Sequence, residues 1–140
     1  MRIKFDYRTY PARPTPAFPN RTTITRPAIP VSLIYGQKSV PIYALVDSGA
    51  DVTLLNPTLC TVLGIDWKTG KENEIRGIGN ARQLAYFHNI QMDVGGYIHN
   101  CYVGFVEDFS VDALLGQKCF FHHFKKVSFD FNAGEVELVW

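Results

Sequence analysis

The stretch Val40-Pro41-Ile42-Tyr43-Ala44-Leu45-Val46 runs without a break into Asp47-Ser48-Gly49-Ala50-Asp51. Its first seven residues are apolar on both alternating faces, which predicts a strand buried on both sides. Pro41 stands near the strand's beginning, where a missing N–H is tolerated. An aspartate directly after such a strand is an anomaly, because a carboxylate there is costly unless something pairs with it. Ser48 adds a hydroxyl that can bond locally, and Gly49 lets another backbone approach closely. Taken alone, the tripeptide reads equally as an Asx-type turn that ends a strand.

Working outward, the chain continues as strands and turns. Upstream, Val31–Tyr35 is an apolar, β-branched run closed by the turn signal Gly36-Gln37-Lys38. Downstream, Val52–Leu55 is a second apolar run. Asn56-Pro57 then opens a short helix that Gly64 ends, asparagine and proline suiting its entry and glycine its exit. Residues 84–106 read as two strands around a hairpin turn at Val94-Gly95-Gly96. Residues 111–116 form another apolar run, ending in Gly116, and Gln117–Phe124 is predicted as a short helix with Cys119, Phe120 and Phe124 facing the core. Val127–Trp140 alternates apolar and polar on either side of Asn132-Ala133-Gly134, the pattern of a terminal hairpin. These elements together predict a mainly β domain.

Length and composition bound the rest. A chain of 140 residues with 46% hydrophobic content is one domain with a real core, and it has no room for a second lobe. No stretch approaches the ~20 apolar residues of a spanning helix, and the opening residues lack the apolar segment of a secretory signal. The chain is therefore expected to meet no membrane. The three cysteines, Cys60, Cys101 and Cys119, are odd in number and widely spaced, which suits reduced thiols in a cytoplasmic protein. The net charge of +1 conceals a split: residues 1–30 carry six basic groups and one acid, while residues 31–140 carry eight and twelve. Six of the eight prolines also fall in the first 30 residues. That segment reads as an extended, basic, proline-rich arm against an acidic body at 31–140. Its basic groups are scattered, so no nucleic-acid partner is expected.

The order of motifs resembles that of the retropepsin-like aspartic proteases. The family signature of two apolar residues, Asp, Ser or Thr, Gly and Ala matches Leu45-Val46-Asp47-Ser48-Gly49-Ala50. Its second motif, an apolar pair followed by glycine, matches Leu114-Leu115-Gly116. A glycine-rich flap between them matches Arg76-Gly77-Ile78-Gly79-Asn80. The resemblance covers about residues 31–140 and implies a single-domain closed β-barrel, the acid protease fold, with one or two short helices. Peptide hydrolysis by carboxylates needs one group as base and another as acid, and two carboxylates about 3 Å apart cannot both ionise. This chain carries one Asp-Ser-Gly only. The second catalytic aspartate would have to come from a second copy across a two-fold axis, which makes a homodimer the expected partner and an aspartic endopeptidase the expected activity.

The resemblance also implies roles. Asp47 and its symmetry mate would hold the attacking water. Ser48 would bond across the dimer, Gly49 and Ala50 would shape the loop, and Asp51 would accept hydrogen bonds from substrate amides. Ile78, between Gly77 and Gly79, would close over a peptide substrate as a lid does, while Leu114, Leu115 and Gly116 would pack beside the active-site loop. The arginine that retroviral members carry after this glycine is replaced by Gln117. No cofactor or metal is expected: Cys119, His122 and His123 lack a second cysteine pair, and neighbouring histidines point apart on a helix. His88 and His99, in hairpin strands without partners, are predicted on the surface, and Cys60 as a core thiol. The competing reading keeps the same fold as a catalytically silent dimerising or peptide-binding module.

Overall fold

The computed structural model describes the whole chain except Ile78. Twelve strands and one short α-helix build it: β1 (Arg2–Asp6), β2 (Arg8–Pro11), β3 (Thr23–Arg26), β4 (Ala28–Tyr35), β5 (Lys38–Val46), β6 (Leu54–Leu55), α1 (Leu59–Leu63), β7 (Lys71–Arg76), β8 (Arg82–Val94), β9 (Tyr97–Val106), β10 (Ala113–Leu115), β11 (Lys126–Asp130) and β12 (Glu135–Val139). The main sheet runs β4-β5-β10-β6-β9-β8-β7, and β4 also pairs with β8. That extra pairing closes six of the strands into a barrel and leaves β7 outside it. A closed barrel removes the exposed edges that invite mispairing.

The hairpins form where the turn residues allow. Gly36 has φ 60°, and Gly95 and Gly96 have φ 60° and 93°, so the β4–β5 and β8–β9 connections take the left-handed backbone of tight two-residue turns. Gly64 ends α1 with φ 73°, its N–H bonded to the Cys60 carbonyl. At the helix entry the Asn56 side chain accepts the Thr58 N–H and hydroxyl, at 3.0 and 2.9 Å.

A large core fills the barrel, and Leu54, Ala85, Phe87 and Val106 form a smaller buried cluster. Ile29, Leu33, Leu55, Leu63, Met92, Val103, Phe105, Leu115 and Phe120 are all fully buried within the large core. Each such side chain contributes roughly 1.5–3 kcal/mol of transfer free energy. Cys60 packs inside as a thiol, and burial pushes its pKa up to about 12.

Several expectations are corrected. The 40–46 strand is buried on one face only: Ile42, Ala44 and Val46 point into the core, while Tyr43 is exposed and Leu45 half-buried. Its other face borders open cavities instead of a second layer. The Val52–Leu55 run shortens to β6, although the Thr53 carbonyl still accepts the Gly104 N–H at 3.0 Å. Gln117–Phe124 is not a helix beyond a 3-10 turn at Phe121–His123; Cys119 has φ 78°, which breaks it. Cys119, Phe120 and Phe124 are nevertheless buried. Cys101 and Cys119 are joined in a disulfide, their Cα atoms 5.0 Å apart, so only Cys60 is a free thiol. Spacing of 18 residues along the chain could not reveal that β9 lies beside the loop after β10. His99 is buried, stacked on the His123 ring at 4.0 Å between centroids, and His88 is half-buried with Nε2 2.7 Å from the Trp67 carbonyl. Alternation along one strand predicts both on the surface, because it carries no information about what folds over the sheet.

The first 30 residues hold three strands and the start of a fourth, with residues 12–22 connecting β2 to β3 outside any strand. β1 pairs antiparallel with β12, which pairs with β11, giving a terminal three-stranded sheet. The Met1 ammonium donates to the Trp140 carbonyl at 2.7 Å. β2 and β3 form a separate hairpin, and β4 already begins at Ala28.

Candidate active site

Asp47 leaves β5 at the place where β10 runs parallel to it, with Leu45 beside Leu114 and Val46 beside Leu115. Its N–H donates to the Leu115 carbonyl at 3.0 Å. The backbone then turns sharply: the Gly49 N–H donates to Asp47 Oδ1 at 2.9 Å, and the Ala50 N–H to the Asp47 carbonyl at 3.2 Å. The Asx turn is thus real, and it holds one carboxylate oxygen while the other bonds nothing among the described residues. The side chain is half-buried, so the carboxylate is held in place without being sealed off.

The loop rests on the segment after β10. The Gln117 and Lys118 N–H groups donate to the Ala50 and Asp51 carbonyls at 2.8 and 3.0 Å. Gly116 passes so close to the Val52 and Ala50 carbonyls that a Cβ there would collide with both. Thr53, fully buried, ties the crossing: its hydroxyl accepts the Gly116 N–H at 3.1 Å and donates to the Lys118 carbonyl at 2.9 Å. Gln117 adds a side-chain clamp, Nε2 donating to the Ser48 carbonyl at 2.7 Å. Where retroviral members place an arginine, this chain braces its own loop with an amide. Sequence reasoning missed Thr53, for which a hydroxyl inside the apolar run Val52–Leu55 was the available signal, and marked Gln117 only as standing in an arginine's place.

Asp47, Ser48, Gly49, Ala50, Leu114, Leu115 and Gly116 therefore come together, from segments 64 or more residues apart. Asp51 is exposed at the loop's far end and forms no ion pair among the described residues. The flap motif lies at the tip of the β7–β8 hairpin, where the Gly77 N–H donates to the Ala81 carbonyl at 3.0 Å and Gly79 takes φ 76°. Ile78, expected to form its tip, lies outside the described residues. Two cavities flank the loop, of about 340 and 550 Å³. The first is lined by Leu45, Asp112 and Ala113 together with Arg8, Tyr10, Arg26 and Tyr43; the second by Val52, Phe87 and Lys118 among others. Among the described residues no cluster of His, Cys, Asp and Glu side chains is arranged to hold a metal ion.

The family described as "gag-polyprotein putative aspartyl protease" matches residues 36–122, from the β4–β5 turn to the 3-10 turn. The chain belongs to this family. A DNA damage-inducible protein 1 of Phaeosphaeria nodorum is 32% identical over 96 residues, covering 67% of this chain and 22% of that protein. The protein of the same name from Cryptococcus neoformans is 35% identical over 78 residues, 54% of this chain and 18% of its own length. The chain thus spans about a fifth of these relatives. Among solved structures, a retropepsin-like aspartic protease from Rickettsia conorii superposes with TM-score 0.61 at 17% identity, over 96% of this chain and 95% of that one. The retroviral protease-like domain of Ddi1 from Leishmania major gives 0.57 at 21% identity, over 78% and 84%. EIAV protease bound to the inhibitor HBY-793 gives 0.52 at 21%, over 66% and 82%. The retropepsin-like barrel inferred from motif order is the fold of this chain, and among the described residues no helix is long and apolar enough to cross a membrane.

Proposed function

We propose that two copies of this chain pair about a two-fold axis to form an aspartic endopeptidase, each contributing one Asp47. What carries this reading is a lone Asp47 on a floor braced from four directions, with a carboxylate oxygen left unbonded. A structural Asx turn needs no such floor. Two carboxylates brought together share one proton, so one activates water as base while the other protonates the substrate carbonyl or leaving amine. Fixing both before substrate arrives spares the reaction that reorganisation.

In the same reading, Ser48 links the two loops and Asp51 receives substrate amides. Ile78, between Gly77 and Gly79, closes over a bound peptide, excluding water from the reaction. Residues 31–140 carry the protease machinery, and residues 1–30 carry the arm. The test is cleavage of a diverse peptide mixture by the wild-type protein beside an Asp47→Asn variant, from acidic to neutral pH, with light scattering on the same samples. Cleavage by the wild type alone, from a dimer, supports the proposal. Equal peptide loss in both samples, or none in either, would leave the fold as a dimerising or peptide-binding module. Activity from a strict monomer would rule out the shared dyad.

A further inference from the structure

The 340 Å³ cavity beside Asp47 is built partly by the β2–β3 hairpin, which lies outside the segment matched by the family. Tyr43 and Leu45 lie on one face of β5, opposite the buried Ile42, Ala44 and Val46, and Asp47 follows the strand's last residue. At about 3.3 Å per residue the cavity begins roughly 7 Å from Asp47 and reaches to about 13 Å, at Tyr43. Arg8 and Arg26 reach into it from directly opposed positions of β2 and β3. Like charges in that register repel. Neither guanidinium donates a hydrogen bond or joins an ion pair among the described residues. Both instead lie over aromatic rings: Arg8 stands 3.7 Å from the Tyr43 ring centre and 5.3 Å from that of Tyr10, and Arg26 5.8 Å from Tyr10. Asp112, the one acid in the lining, is exposed and pairs with neither, so the cavity keeps a net positive charge.

We infer that this cavity is a specificity pocket for an acidic side chain, Glu or Asp, within about four residues of the bond cleaved. Contact with the tyrosine rings occupies the faces of the guanidiniums while their N–H groups have no acceptor among the described residues, and a carboxylate accepts such groups through paired hydrogen bonds. A carboxylate placed between them also removes the repulsion built into the hairpin. The inference rests on the protease reading for its position relative to a scissile bond; the recognition itself rests on the pocket.

The experiment uses two synthetic decapeptide pools, identical except that Glu in one is Gln in the other, with the variable residue moved through every position. Cleavage by the full-length wild type, read by mass spectrometry, should favour Glu by about tenfold at positions near the cut. The ratio should fall to about one in an Arg8→Gln/Arg26→Gln variant, and should shrink as NaCl rises from about 0.05 to about 0.5 M. In parallel, immobilised Asp47→Asn protein should retain Glu peptides over their Gln partners. Cleavage with equal rates for the two pools overturns the pocket and leaves the protease. Arginine-dependent retention of Glu peptides without any cleavage by the wild type keeps the pocket and overturns the protease. If the double variant does not fold, the salt series on the wild type decides, and a Glu preference indifferent to salt overturns the pocket. A double variant that dissociates into monomers, while the wild type treats both pools alike, would assign the arginines to the dimer contact instead.

Discussion

The floor that carries Asp47 and the hairpin that carries the glycine-rich tip are built in opposite ways. Around Asp47 the backbone is crossed by a second segment, with Gly116 pressed against two carbonyls and a buried threonine hydroxyl bonding across the gap. By contrast, β7 is exposed along most of its length, pairs only with β8, and lies outside the closed barrel. No atom lies within 4 Å of where a Cβ would stand on Gly77 or Gly79. One region has no space and many bonds; the other has space and one ladder. Under the protease reading, that contrast would keep the reacting group fixed while the hairpin moves over a bound peptide.

Four measurements sharpen or break the contrast. Gly116→Ala should cost most, on the order of 4 kcal/mol or outright failure to fold, because the new methyl meets backbone that cannot yield. Urea denaturation against wild type reads it, and a loss under about 1 kcal/mol would mean the crossing is slack. Acid should come next, through His99, which supports the floor segment by facing the Cys119 carbonyl at 3.2 Å. Burial, and then the neighbouring His123, lower its pKa to about 4. A group held neutral in the fold takes up its proton more readily when unfolded. Its stabilising effect is thus complete above pH ~6.5 and is lost as pH falls from ~6.5 towards 4, by up to about 3 kcal/mol. A His99→Gln variant should show a flatter pH profile in that window; an unchanged profile would assign the acid sensitivity elsewhere.

Thr53→Val should cost about 2 kcal/mol, since it leaves the buried Gly116 N–H and Lys118 carbonyl without a partner. Under the protease reading it should also lower kcat more than it raises KM, because the floor positions Asp47. At the small end, Gly77→Ala should change stability by less than about 0.5 kcal/mol: there is room for the methyl, and φ is −99°. A large loss there would show that the hairpin is as tightly determined as the floor.

The site and its surroundings were not equally legible in the sequence. Asp47 stood out because a carboxylate followed seven largely apolar residues, and the Leu-Leu-Gly run ending at Gly116 stood out by its order relative to it. The flanking turns were legible too, since Gly36, Gly64 and Gly95-Gly96 mark backbone that other residues resist. Gln117 was seen only as a missing arginine, and its bond to the Ser48 carbonyl joins residues 69 apart. Arg8 and Arg26 were counted as charges on an arm; a directly opposed pair lying over tyrosine rings is a property of strand register.

What the sequence determined by itself was local: strand periods, turn positions and one Asp-Ser-Gly. The tertiary structure alone decided which segments cross beneath Asp47, that Cys101 meets Cys119, that His99 is buried, and that one face of β5 opens onto a basic cavity. The physical reason is the range of the forces involved. Backbone sterics and side-chain alternation act within a few residues and are written in their order. Hydrogen bonds, stacking and burial act across space, between residues that only the closed barrel makes neighbours.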